Sequence, residues 1–193
     1  MRLSHPLLLF LGIVACQAGR SDEGRAPMGG PRSADVAAEY PLAPDLRGID
    51  SRGGSFALEA LRGAAVVLVF YRSHACPLCR ERLAALGAHL DAYASAGARV
   101  VAITPDPPDV AQRTAAELGL SLPVVSVDRA VLERWGVWPP TEHAPRPAAV
   151  VLDRDGRIRF RHLGRTAADR ASDLQLLAVL ERMRAAAGGR GSR

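Results

Sequence analysis

Two cysteines three positions apart, Cys76 and Cys79, enclose Pro77 and Leu78 at the point where the apolar run Ala65 to Tyr71 gives way to a helical pattern. A Cys-x-x-Cys at a strand-to-helix junction suits thiol chemistry, because the thiolate is the reactive species. A helix N-terminus supplies unpaired N–H groups and a positive partial charge that favour the thiolate. Cys76 stands at that tip, and Pro77 fits the first helical position, where its missing N–H costs nothing. Cys79, Leu83, Leu86 and Leu90 are spaced four, three and four, so the second thiol opens the buried stripe of the helix. The asymmetry predicts Cys76 as attacking nucleophile and Cys79 as the resolving thiol that closes a disulfide with it. A disulfide across so short a gap constrains too small a loop to serve as a staple.

Those two thiols need a strand, a helix tip and a covering layer to position them. Continuous apolar runs over Ala65 to Tyr71, Arg99 to Thr104, Val124 to Val127 and Ala148 to Leu152 read as strands covered on both faces. The last turns at Asp153-Arg154-Asp155-Gly156 into a strand over Arg157 to His162. There Arg157, Arg159 and Arg161 alternate with Ile158 and Phe160, which predicts a solvated arginine face. Helices are expected over Pro77 to Ala96, Pro108 to Leu118, Arg129 to Trp135 and Ala168 to Ala186. In the last of these Leu176, Leu180 and Met183 form the buried stripe. The order β-α-β-α-β-α-β-β-α predicts an α/β three-layer sandwich with helices on both faces of one sheet.

The third cysteine lies in a different setting. Arg2 precedes an apolar run over Leu7 to Ala15, too short to span a bilayer and suited to a signal peptide. The run closes with Ile13-Val14-Ala15-Cys16, which resembles the lipobox of bacterial lipoproteins. That resemblance implies cleavage after residue 15, acylation of Cys16, and an extracytoplasmic protein held to a membrane by lipid. Residues 16–40 are rich in Gly, Pro, Ser and charge and read as a flexible tether, and 188–193 as a disordered tail. Residues 41–187 are left for one folded domain, and consumption of Cys16 leaves one cysteine pair.

The 193 residues carry a net charge of +5. All 25 basic side chains are arginine, and neither lysine nor asparagine occurs, which excludes Schiff-base chemistry and N-glycosylation. The arginines form no cluster with a recognition motif, so no nucleic-acid partner is expected.

Three stretches together resemble redoxin domains of the alkyl hydroperoxide reductase/thiol-specific antioxidant (AhpC/TSA) class, in its peroxiredoxin-like branch with two cysteines. They are Phe70-Tyr71-Arg72-Ser73-His74-Ala75-Cys76-Pro77-Leu78-Cys79-Arg80, Thr104-Pro105-Asp106-Pro107-Pro108, and Arg146-Pro147 running through Gly156. The resemblance spans about Pro41 to Met183. It implies a thioredoxin fold, a peroxide or a protein disulfide as substrate, and a thiol reductant, with no cofactor. Pro147 then matches the cis-proline that faces the cysteine pair, and Ser73 the hydroxyl residue beside the peroxidatic thiol. Arg72 and Arg146 are the two candidates for the cation that steadies a thiolate. Val69 departs from the pattern, standing where peroxiredoxins carry a proline seven residues before the reactive cysteine. The competing expectation is a soft-metal site for Cu(I), with Cys76 and Cys79 joined by His143.

Overall fold

The computed structural model describes residues 40–188. Cys16, the signal expected over 1–15 and nearly all of the expected tether and tail fall outside them. Tyr40, assigned to the tether, is docked: its ring lies under the Arg159 guanidinium at 4.0 Å and its carbonyl accepts from Arg157 Nη1 at 3.0 Å. Gly188, assigned to the tail, closes the last helix. No helix among the described residues is long and apolar enough to cross a membrane.

Seven strands form one sheet: β1 (Arg47–Asp50), β2 (Ser55–Ala57), β3 (Ala65–Phe70), β4 (Ala98–Thr104), β5 (Val124–Ser126), β6 (Ala148–Leu152) and β7 (Ile158–Leu163). Their spatial order is β2-β1-β5-β4-β3-β6-β7. β3, β4 and β5 run parallel, while β1, β2, β6 and β7 pair antiparallel with their neighbours. All six residues of central β3 are buried, as its unbroken apolarity requires. Val67 and Val69 face a core with Leu83, Leu86, Tyr93 and Leu176, whereas Val66, Leu68 and Phe70 face a second with Leu46, Leu132 and Trp135. The helices are α1 (Pro77–Ala88), α2 (Leu90–Ser95), α3 (Pro108–Glu117), α4 (Arg129–Arg134) and α5 (Asp173–Gly188). They lie on both faces, and the α/β sandwich holds.

Three local expectations are corrected, and one pair of strands is added. The helix expected over Pro77 to Ala96 breaks at His89, whose φ of −108° and ψ of 12° leave the helical region. The break turns Tyr93 fully inward, where its hydroxyl donates to Asp173 at 2.6 Å. The last helix starts at Asp173, not Ala168. Ser172 caps it, accepting from the Gln175 N–H at 3.2 Å while Gln175 Oε1 accepts from the Ser172 N–H at 2.9 Å, a reciprocal capping box. Asp169 stays in the preceding loop and accepts from the Arg165 N–H at 2.9 Å.

The arginine alternation of β7 also fails. Val151 pairs with Phe160 and Leu152 with Ile158, so a bulge at Arg159 places Ile158 and Phe160 on opposite cores. Arg159 pairs with Asp153 at 3.4 Å and Arg161 donates to the Trp135 carbonyl at 2.7 Å. Finally, the β1–β2 hairpin was not expected at all; each strand is too short to show an alternating pattern.

Candidate active site

β3 and β4 are parallel, and the chain leaving the C-terminal end of β3 carries the cysteine motif, the edge at which open α/β sheets place their ligand sites. Tyr71 still belongs to the sheet, its N–H donating to the Ile103 carbonyl at 3.0 Å. Its ring is buried and its hydroxyl has no hydrogen-bond partner among the described residues. Burial pushes its pKa up to about 12, with the nearby Thr104 and Thr114 hydroxyls acting the other way. Residues Arg72 to Ala75 then form the loop that delivers Cys76.

Cys76 is the N-cap of α1, with extended φ −85° and ψ 108°, and Pro77 occupies the first turn. Its carbonyl accepts from the Arg80 N–H at 3.1 Å, and its sulfur accepts from the Cys79 N–H at 3.2 Å. That backbone donor, the helix dipole and the lack of any acidic residue in the first turn all favour the thiolate. Cys76 is half-buried, whereas Cys79 is only 4% exposed and packs with Leu83 and Leu86. The two are disulfide-bonded, with Cα atoms 5.2 Å apart. One exposed and one hidden sulfur is the asymmetry expected from the leucine spacing.

A polar network anchors the Cys76 loop to α3. The His74 N–H donates to Asp106 Oδ2 at 2.6 Å, and its Nδ1 lies 3.0 Å from the Thr114 hydroxyl and 3.2 Å from Arg80 Nη1. Thr114 spends its own proton on the Val110 carbonyl, and Arg80 pairs with Glu117 at 2.9 Å. Asp106, Thr114 and Arg80 were not expected in this role. Asp106 stands in the Thr104 to Pro108 stretch, but nothing local to the sequence says that its carboxylate reaches back to the nucleophile's loop.

On the other side a cleft is lined by Arg72, Cys79, Glu142, Arg146, Pro147 and Arg165. The two candidate cations are not equivalent there. Arg146 is held by Glu142 through Nε at 2.7 Å and also through Nη2, an ion pair that keeps the Glu142 carboxyl below its usual range and the guanidinium above. Arg72 is exposed and makes no close ion pair among the described residues, acting on Glu142 through its charge alone, which leaves its guanidinium fork the uncommitted one. Ser73 contributes its carbonyl, which accepts from the Cys76 N–H at 3.2 Å, rather than its hydroxyl.

Pro147 lies beside Cys79 as expected, but its peptide bond is trans, as is every other among the described residues. The Arg146 N–H bonds to the Val137 carbonyl and the Pro147 carbonyl accepts from Gly164 N–H, each at 2.8 Å. The chain is thus already extended and enters β6 at once. The set Cys76, Cys79 and His143 is not assembled: His143 is exposed, and among the described residues no group of three or more His, Cys, Asp or Glu could hold a metal ion.

The family model for AhpC/TSA matches residues 41–161, which include both cysteines, the Asp106 anchor and Pro147. The chain belongs to the AhpC/TSA family. This AhpC/TSA protein is accordingly a thiol-dependent oxidoreductase of the peroxiredoxin-like kind. A Mycobacterium tuberculosis protein that carries the provisional name peroxiredoxin is 30% identical over 123 residues, 60% of this chain and 78% of the relative. Among solved structures, peroxidoxin BcpB of M. tuberculosis superimposes with a TM-score of 0.65 at 22% identity, covering 74% of this chain and 96% of its own. Peroxiredoxin Q of Xanthomonas campestris gives 0.63 at 22% identity, covering 71% and 90%. At those identities the two structures speak for the fold.

Proposed function

We propose that this protein reduces peroxides from a membrane-tethered, extracytoplasmic position, with Cys76 as attacking nucleophile and Cys79 as resolving thiol. The observation that carries the assignment is the placement of Cys76: half-exposed at the tip of α1, with a backbone N–H on its sulfur and the second cysteine buried one turn behind it. The Cys76 thiolate attacks one peroxide oxygen, so an S–O bond forms and the O–O bond breaks. The departing alkoxide takes a proton and leaves as the alcohol, or as water from hydrogen peroxide. Cys79 as thiolate then attacks the sulfenic sulfur, an S–S bond forms, and hydroxide leaves as water after protonation. An external thiol returns two electrons by exchange through a mixed disulfide. Arg72, four residues before Cys76 and in the cleft beside Cys79, has no close ion pair to hold its guanidinium and is the cation placed to polarise the peroxide.

Peroxide consumption and disulfide reduction measured side by side test this. Cys76→Ser is expected to abolish peroxide turnover, and Cys79→Ser to allow a single turnover. Turnover of a disulfide but of no peroxide overturns the substrate assignment. The tether rests on Ile13-Val14-Ala15-Cys16 closing the apolar run. Expressed at full length in a bacterium, the protein should partition with membranes and begin at an acylated Cys16; an unmodified Cys16 contradicts it.

A further inference from the structure

Cys79 poses a difficulty for its role. A thiol only 4% exposed among apolar side chains is held protonated by desolvation and reacts slowly. Two guanidinium groups oppose that tendency. Arg82 lies one turn beyond Cys79 on α1, and long helical side chains lean toward the N-terminus, over the turn that precedes them. Cys79, Arg82 and Arg170 line one small, partly open cavity together with Val69, Tyr71 and Pro147.

Arg82 pairs with Asp173 through Nη1 at 2.6 Å, yet its Nη2 is buried and has no acceptor among the described residues. An unmet charged donor in the interior is costly, and a thiolate in the same cavity is an acceptor for it. Arg170 is fixed by Nε on the Ala167 carbonyl at 2.7 Å and by Nη1 on the Leu78 carbonyl, inside the cysteine motif itself. Burial, and then the like charge of Arg82, lower its basicity.

The other charged and titratable groups around Cys79 do not cancel this. Tyr71, just past β3, is neutral at ordinary pH. The cleft on the far side of Cys79 brings Arg72, Arg146 and Arg165 against Glu142 alone. Glu81 acts on Arg170 from the solvent side, and the Asp173 carboxylate is shared among Arg82, Tyr93 and His89.

We propose that Arg82 and Arg170 form a cationic seat for the Cys79 thiolate, turning a buried thiol into an active resolving nucleophile. The assignment rests on Cys79 resolving the Cys76 sulfenic acid. In that step Cys79 gives its proton to solvent, the thiolate forms the S–S bond and the S–O bond breaks, and the seat stabilises the charge until it is consumed.

The test begins with the full chain carrying Cys16→Ser and Cys76→Ser, which leaves Cys79 as the one titrating thiol. Thiolate absorbance against pH is expected to place Cys79 below the ordinary thiol value of about 8.5. Arg82→Gln and Arg170→Gln should each raise it, while Arg82→Lys should keep most of the effect. In proteins that retain both cysteines, disulfide closure is followed by quenched labelling after a peroxide pulse. Where both values lie about a unit or more above neutral pH, a rise of one pKa unit cuts the thiolate fraction about tenfold at pH 7, and the more basic thiolate recovers about threefold in intrinsic reactivity. Closure should therefore be about threefold slower at pH 7 in the glutamine variants and about threefold faster above both pKa values. A loosened fold does not produce that crossover. If Arg82→Gln unfolds because Asp173 loses its partner, Arg170→Gln and Arg82→Lys carry the test. A parent Cys79 that titrates at 8.5 or above, or folded glutamine variants that titrate like the parent, overturns the seat. Absence of any sulfenic acid on Cys76 overturns the functional assignment instead, and the titration still judges the seat.

Discussion

Removing the Asp106 carboxylate should release the loop that carries the nucleophile. Asp106 Oδ2 accepts from the His74 backbone N–H at 2.6 Å, two residues before Cys76. The backbone of Asp106 is held independently, its N–H on the Thr104 hydroxyl at 3.1 Å and its carbonyl under the Ser126 hydroxyl at 2.6 Å. A substitution at Asp106 therefore removes one bond and leaves the turn in place. A hydrogen bond onto a charged acceptor contributes about 1.5–3 kcal/mol, and its loss strands a partly buried N–H. Asp106→Ala should cost that amount. Asp106→Asn keeps a neutral oxygen and should cost about half, since charge-assisted bonds are roughly twice as strong as neutral ones. With a urea slope of about 2 kcal/mol/M for a domain of this size, the alanine variant's midpoint should fall by about 1 M. The same variants should react more slowly with peroxide, because Cys76 is no longer fixed at the tip of α1. Equilibrium urea unfolding and stopped-flow peroxide consumption measure both effects. Midpoints and rates equal to the parent's in both variants would refute the anchoring role.

Three further outcomes follow from the geometry. Glu142→Gln frees the Arg146 fork beside the cleft and should raise the rate of peroxide attack by at most about fivefold, the scale of an exposed charge, as read by stopped flow. Gly164→Ala should destabilise the domain by about 1–3 kcal/mol in thermal unfolding, since its Cβ would lie 2.2 Å from the Asp169 carbonyl oxygen and 2.9 Å from the Pro147 ring, neither of which is free to move. Burial acts to raise the Asp173 carboxyl, but hydrogen bonds from Tyr93, His89 and Arg82 outweigh it and hold the group below its usual range. Its stabilisation is complete above the ordinary value of about 3.9 and is lost as pH falls through the lower folded value, so acid unfolding should be less steep in Asp173→Asn.

The strands of the central sheet were legible because they are buried on both faces and written as continuous apolar runs; Ala148 to Leu152 was read to the residue. The cysteine geometry was equally legible, since a proline after Cys76 and leucines at helical spacing after Cys79 fix which sulfur is exposed. What escaped was decided by contacts between distant segments. His89 ends α1 where Asp173, 84 positions away, takes its ring, and no local signal marks that break. The start of α5 was readable in Ser172-Asp173-Leu174-Gln175, a capping-box pattern outvoted by the longer run of helix-forming residues before it. Pro147 was given a cis bond by resemblance alone, while the backbone bonds on either side of it keep the chain extended. Arg72 and Arg146 were indistinguishable in sequence, and only the fold shows Glu142 closing on one of them.

The division of labour between the two sulfurs is tested most directly by the Cys79→Ser protein beginning at residue 40, reduced and given one equivalent of peroxide beside a nucleophile specific for sulfenic acid. Mass analysis should find one adduct, on Cys76, and none in the matching Cys76→Ser protein. An adduct on Cys79 in the latter, or none in either while the parent consumes peroxide, would contradict the assignment of Cys76 as the attacking thiol.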